Sequence, residues 1–256
     1  MKNWGENMLL RNELQKYCTL TGFNLGQVEI DYLQHLFLML FSKKSSTNII
    51  FKGGTALQKI YGLHRFSIDF DFTQKGTEEL KETMKIISKE MSDFGYLAEI
   101  EEIKTIGRTF IFKINGPLHA ENPASQARLR IEISQRESLL QEPSFKEVNP
   151  IYPDLQPYTL LAMAEEEIFA EKIRAIMSRN KPRDVFDLHF LLGKGIRFNL
   201  EFVNKKLEYY KEKFDRKRFL EKVKEKKASW TSELKIYSKT VPEFEEVLAL
   251  IDEKIS

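Results

Sequence analysis

The stretch "FKGGTALQKIYGLHRFSIDFDF", Phe51 to Phe72, opens on Gly-Gly-Thr and closes on two aspartates one residue apart. Side chains alternate across a strand, so a strand over residues 66–72 puts Asp69 and Asp71 on one face with Ser67 beside them. Phe66, Ile68, Phe70 and Phe72 take the other face, which reads as core. Two carboxylates at neighbouring positions of one face repel each other unless they meet water or share a cation. Hard oxygen ligands at this spacing suit Mg²⁺ or Mn²⁺, which take one or two carboxylates together with substrate phosphates.

The glycines ahead of this strand fit the same chemistry. "IIFK" reads as a short buried strand, and "TALQKIYGL" as a helix closed by Gly62. Gly53, Gly54 and Thr55 lie where one becomes the other. Backbone N–H groups at a helix start attract phosphate, glycine permits close approach, and Thr55 adds a hydroxyl. Thirteen residues separate Thr55 from Asp69, enough for a short helix and a turn back to a neighbouring strand. A plainer reading makes Thr55 a helix cap and the aspartates a solvated face.

A second alternating strand, "ARLRIEIS", puts Leu129, Ile131 and Ile133 on a core face and Arg128, Arg130, Glu132 and Ser134 on the other. Glu132 is either solvated surface or a third carboxylate beside Asp69 and Asp71. Three carboxylates can hold two metals that stabilise the attacking and leaving oxygens of a phosphoryl displacement.

The rest of the chain frames these segments. Among 256 residues, 42% are apolar and 30% charged, an ordinary globular composition. A net charge of +2 excludes a wholly basic nucleic-acid coat. One cysteine, Cys18, forms neither an internal disulfide nor a thiolate metal site alone, so a cytoplasmic setting is expected. The N-terminal "MKNWGENMLLRNELQKY" lacks a leader pattern. "LQHLFLMLF" is too short to span a membrane and reads as a buried helix. Helices are predicted over 7–20, 26–43 and "EELKETMKIISKEMSDFG", with strands at "YLAEIEEIK" and "TFIFKING". The prediction is an α+β fold: residues 1–150 form a mixed β-sheet flanked by helices, and 151–256 a helical domain after a proline-punctuated connector at 149–158.

Gly-Gly-Thr followed by Asp-x-Asp is the signature of the DNA polymerase beta-like nucleotidyltransferase superfamily. The longer string "GGTALQKIYGLHRFSIDFDF" closely resembles the AbiEii/AbiGii toxin family, which includes the MenT toxins. Two downstream motifs of that family also have counterparts, "AEEEIFAEKIRAI" at 164–176 and "PRDVFDLHFLL" at 182–192. The resemblance spans roughly residues 45–195. It implies that Gly54 and Thr55 touch the nucleotide phosphates and that Asp69 and Asp71 hold Mg²⁺; Gly53, Lys59, Arg65 and Ser67 are further nucleotide-binding candidates, and Glu132 a further metal candidate. Lys172 and Asp184 fall in the downstream motifs and complete the catalytic set.

On residue chemistry alone, Lys172 at the edge of an apolar helix face either leans onto phosphate or snorkels to water. Asp184 and Asp187 share a helix face, where acids also favour the helix dipole. Arg65 holds a phosphate or pairs with an acid. His64 and His189 lack ligand spacing, and the aromatics near Tyr209, Tyr210, Phe214 and Phe219 read as core. Residues 205–227 carry eleven Lys/Arg against five Asp/Glu, either a solvated helix surface or a face for RNA phosphates.

The resemblance implies transfer of NMP from an NTP to RNA, notably the tRNA 3′ end, and a cognate antitoxin. The alternatives are a protein or small-molecule acceptor hydroxyl, or a nucleotide-binding regulator without turnover.

Overall fold

The computed structural model describes residues 9–45, 48–76, 79–104, 107–136 and 138–255. Residues 1–8, the first part of the N-terminal stretch read above, lie outside these. The chain divides into two compact units. Unit 1 holds residues up to 60, 66–135 and 145–162; unit 2 holds 61–65, 136–144 and the chain from 163 onward. The boundary near 150 drawn from the sequence thus differs from the observed division, because the sheet recruits one strand past that point, at Tyr158–Ala162.

Unit 1 is a seven-stranded mixed sheet with helices. Its strands are β1 (Ile49–Lys52), β2 (Phe70–Gln74), β3 (Ala98–Lys104), β4 (Arg108–Ile114), β5 (Ala127–Ser134), β6 (Ser144–Val148) and β7 (Tyr158–Ala162). They lie in the order β3-β4-β5-β2-β1-β7-β6. β2 runs antiparallel to β1 and parallel to β5, while β7 joins β1 in parallel. Lys52, Asp71 and Glu132 fall in register across the three central strands.

The helices of unit 1 are α1 (Arg11–Thr21), α2 (Leu25–Ser42), α3 (Gly53–Lys59) and α4 (Leu80–Asp93). α2 starts at a capping box in which Asn24 and Gln27 satisfy each other's backbone N–H. It carries the apolar stretch that is too short to cross a membrane, and Leu33 through Phe41 are buried apart from the polar contacts of Gln34 and His35 described below. Phe37 stacks on Phe70 at 5.1 Å and meets Phe112 edge-on at 5.2 Å; Phe41 and Phe51 each lie 5.0 Å from Phe72. Burying one such ring contributes about 1.5–3 kcal/mol, and the ring pairs add about 0.5–1.5 kcal/mol. This aromatic layer explains why Phe70 and Phe72 flank Asp71.

Two expectations change. β2 begins at Phe70, so 66–69 is an extended lead-in outside the ladder, and Ile68 is 36% exposed rather than core. Gln34, described below, takes the backbone carbonyls of this lead-in. Second, β6 and β7 lie where the sequence reading placed no strand.

Unit 2 is helical: α5 (Glu165–Ser178), α6 (Pro182–Gly193), α7 (Leu200–Glu208), α8 (Arg216–Glu225), α9 (Trp230–Leu234) and α10 (Phe244–Lys254). Pro182 opens α6, where its missing N–H costs nothing. α5 packs against α6, α7 and α8. Among the described residues no helix is long and apolar enough to cross a membrane.

Candidate functional site

In unit 1, β1 runs into α3 through Gly53, whose φ of 74° is the left-handed conformation that glycine tolerates. The position also lacks room for a side chain, since a Cβ there would come within 2.3 Å of Asp71 Oδ2. Gly53 therefore lets the Asp71 carboxylate rest directly against the turn. Gly54 is buried behind it. Asp69 and Asp71 are both half-buried.

Arg130 and Glu132 stand on the neighbouring strand. Arg130 Nε donates to Glu132 Oε1 at 2.6 Å. That bond, together with the fields of Asp69 and Asp71, raises the Arg130 pKa above its usual value. The acidic group is thus centred on Asp69 and Asp71, with Glu132 turned to its own arginine. Among the described residues no three His, Cys, Asp or Glu side chains gather into a metal-ligand set. Glu132 sits beside Asp71 by register, with its carboxylate taken by Arg130. Two half-exposed carboxylates with oxygen-only donors, pressed against a glycine turn, do fit a hard divalent cation that completes its shell with phosphate and water.

Beneath the aspartates, the lead-in is held by hydrogen bonds. The Thr55 hydroxyl donates to the Asp69 carbonyl and lies 2.9 Å from the Ser67 hydroxyl. Both residues are buried, so these two hydroxyls fix the aspartate's backbone rather than present themselves to a nucleotide. Gln34 Nε2 donates to the carbonyls of Ser67 (2.9 Å) and Ile68 (2.8 Å). Gln58 Oε1 accepts from Ser67 N–H at 2.8 Å, and its Nε2 donates to Asp31 at 3.1 Å.

Lys59, expected at the nucleotide, instead lies in the core with its ammonium 2.5 Å from Asp31 Oδ1. Tyr152 donates to the other oxygen of Asp31 at 2.8 Å. Burial alone would raise the Asp31 pKa, but Lys59 outweighs it and holds the carboxyl ionised. Burial, then Lys59, push His35 down to about 3, so it is a neutral partner for Tyr158 at 2.9 Å. Asp31, Gln34 and Gln58 escaped the sequence reading. The available signal was polar residues at 31, 34 and 35, three and four apart on one side of an otherwise apolar helix.

Unit 2 holds a different ionic group. Asp187 receives a two-pronged contact from Arg65, 2.6 Å at each oxygen, and Lys172 Nζ at 2.6 Å. Asp184 receives Lys172 at 3.2 Å and Arg179 at 2.7 and 2.9 Å. Both aspartates are fully buried. Burial pushes their pKa values up, but Lys172 and Arg179 around Asp184, and Arg65 and Lys172 around Asp187, overcome it and hold both well below the usual carboxylate range. Arg65 thus meets a buried acid rather than open solvent. Asp184, expected among the catalytic residues, has both oxygens engaged by cations and orients Lys172.

The basic run also differs from a free cationic face. Lys206 is buried against Glu167 (2.6 Å) and Glu171 (3.2 Å), and buried Lys226 donates to the carbonyls of Ile176 and Lys222. Lys205, Arg216, Arg218, Lys222 and Lys227 form ion pairs with Glu201, Asp252, Glu212, Glu225 and Glu245. Of the aromatics read as core, Phe219 is buried, whereas Tyr209 is half-exposed and Tyr210 lies under Arg174.

Comparison with known proteins bears on the family and the fold. The family model described as "Nucleotidyl transferase AbiEii toxin, Type IV TA system" matches residues 38–250. The fold is similar to MenT4, a nucleotidyltransferase toxin from Mycobacterium tuberculosis H37Rv, with TM-score 0.66 and 19% identity over 97% of this chain and 89% of that one. It is also similar to JHP933 from Helicobacter pylori, with TM-score 0.59 and 20% identity over 89% of each chain. No curated protein matches the chain by sequence.

Proposed function

Because the chain belongs to the AbiEii family of nucleotidyltransferase toxins of type IV toxin–antitoxin systems, we propose that Asp69 and Asp71 carry its transfer chemistry and that the acceptor is RNA, in particular the tRNA 3′ end. The family implies an NTP substrate and an antitoxin partner. The acceptor oxygen attacks the α-phosphorus, a new O–P bond forms, the α–β phosphoanhydride breaks, and pyrophosphate leaves with the electron pair. A divalent cation, Mg²⁺ or Mn²⁺, supplies charge neutralisation on the triphosphate when bound. The working compartment is the cytoplasm, where NTP and tRNA meet.

The observation that carries the reading is Asp71 against Gly53, with Asp69 two residues before it. Two carboxylates thus lie at a glycine turn, and such donors suit a hard divalent cation bound together with phosphate. Thr55 and Ser67 serve by holding Asp69. In unit 2, Lys172 is the cation of the downstream motif, and Asp184 and Asp187 set its position.

One observation favours a second acceptor class. Seven of the eleven cations in 205–227 are buried or ion-paired, which leaves less charge for RNA phosphates than the sequence suggested. A protein or small-molecule hydroxyl needs no such face. The test is transfer of label from each α-³²P-labelled NTP to total tRNA, to protein and to an aminoglycoside, beside an Asp69→Ala/Asp71→Ala control. Label on tRNA that disappears in the control is expected. Label on another acceptor replaces the RNA reading, and nucleotide binding without transfer to any acceptor makes the protein a regulator.

A further inference from the structure

We propose that Gln34 on α2 and Gln58 on α3 are positioning residues that set where Asp69 presents its carboxylate to the divalent cation. This inference rests on the metal role of Asp69 and Asp71 given above. The lead-in from 66 to 69 lies outside the sheet ladder, so strand pairing does not fix it. Its backbone is fixed by side chains. Gln34 Nε2 spans two consecutive carbonyls, those of Ser67 and Ile68. Gln58 Oε1 takes the Ser67 N–H. The Thr55 hydroxyl takes the carbonyl of Asp69 itself. Successive peptide groups ahead of the carboxylate are thereby tied to two helices.

The orientation of the Gln34 amide is decided by this task. Its Oε1 is buried and, among the described residues, has no hydrogen-bond partner. Turning the amide over would aim that oxygen at two carbonyls, so the donor must face the lead-in even with the acceptor left unmatched. Gln58 is oriented in turn by Asp31, and Asp31 by Lys59 and Tyr152. The buried Lys59–Asp31 pair thus lies one step behind the glutamine that touches the lead-in. Outer residues that orient a metal ligand commonly change metal affinity about 10–100-fold when replaced.

The test titrates Mn²⁺ into the full chain, reads free Mn²⁺ by electron paramagnetic resonance, and records thermal unfolding of each variant. Wild type against Asp69→Ala/Asp71→Ala comes first. Absent binding in wild type, or binding that survives the double substitution, overturns the metal reading and the positioning role together. Binding that depends on the aspartates isolates the present inference. Gln34→Met and Gln58→Met are then expected to weaken Mn²⁺ about tenfold or more. Gln58→Glu keeps the acceptor for Ser67 N–H and is expected to bind close to wild type. Its second carboxylate beside Asp31 nevertheless lowers the melting temperature more than methionine does. Affinities that stay at wild type in both methionine variants, or that simply follow melting temperature, overturn the proposal. Should Gln34→Met not fold, the two Gln58 variants decide alone.

Discussion

Two pairs of aspartates, one in each unit, show how environment assigns a role to the same side chain. Asp184 and Asp187 in unit 2 lie one helical turn apart, fully buried, with Lys172 shared between them and Arg65 and Arg179 at the outer oxygens. Asp69 and Asp71 in unit 1 lie two residues apart at the start of β2, half-buried, with the Gly53 turn against one of them. The buried pair is matched by cations of the chain itself, since an unmatched charge there is strongly destabilising. The half-buried pair stays within reach of solvent beside the Gly53 turn, where its oxygen donors suit a divalent cation. The difference sets a cluster of buried ion pairs between helices apart from the pair proposed above to carry the transfer chemistry.

The sharpest way to break this contrast is to remove each pair. Asp69→Ala/Asp71→Ala is expected to lower nucleotide transfer at least about a thousandfold, the loss of several kcal/mol of charge stabilisation. Its melting temperature is expected to stay closer to wild type than that of any variant of the buried pair, because both carboxylates are only half-buried. Asp187→Ala should do the reverse to stability. It leaves Arg65 and Lys172 buried with one carboxylate fewer, and about 3–5 kcal/mol of unfolding free energy is lost in denaturant titration.

Acid sharpens the comparison within the folded chain. Asp184 and Asp187 have pKa values below their unfolded 3.8, so their contribution is complete above that pH and is lost as pH falls below it. His35 acts in a higher window. Its folded pKa of about 3 lies under the unfolded 6.5, so the unfolded chain takes up a proton that the native chain refuses. Stability therefore falls as pH drops from 6.5 toward 3, by about 2 kcal/mol at pH 5. Urea midpoints at pH 7 and pH 5 should show this slope in wild type and a flatter one in His35→Gln.

Gly53→Ala is expected to cost about 1–2 kcal/mol for a left-handed residue with a Cβ, and more where the new Cβ meets the Asp71 side chain. Its effect on transfer should be larger than that cost suggests, since the new methyl displaces the Asp71 carboxylate. Unchanged transfer in a folded Gly53→Ala would remove the turn from the site.

The parts of this picture legible in the sequence were those with local periodicity. The apolar run of α2, the alternation of β5 and the Phe70–Phe72 pair around Asp71 each declare a buried face within a few residues. β7 was not legible because Tyr158–Ala162 is short, follows a proline-punctuated connector, and takes its place in the sheet between β6 and β1, the latter over a hundred residues earlier. The start of β2 was misplaced for a related reason: Phe66 to Asp69 alternates like a strand, yet Gln34 and Gln58 occupy its backbone groups. Lys59 and Arg65 looked like phosphate ligands because a sequence shows a cation but not the distant acid that matches it. Asp31 is 28 residues from Lys59, and Asp187 is 122 from Arg65.

The most direct test of the central contrast measures two quantities on the same three proteins: pyrophosphate release with an accepted substrate, and melting temperature. The proteins are wild type, Asp69→Asn/Asp71→Asn and Asp184→Asn/Asp187→Asn, all substitutions of equal shape. The account predicts that the first variant melts like wild type and releases no pyrophosphate, and that the second melts far lower. A first variant that still turns over, or a second that melts like wild type, would contradict it.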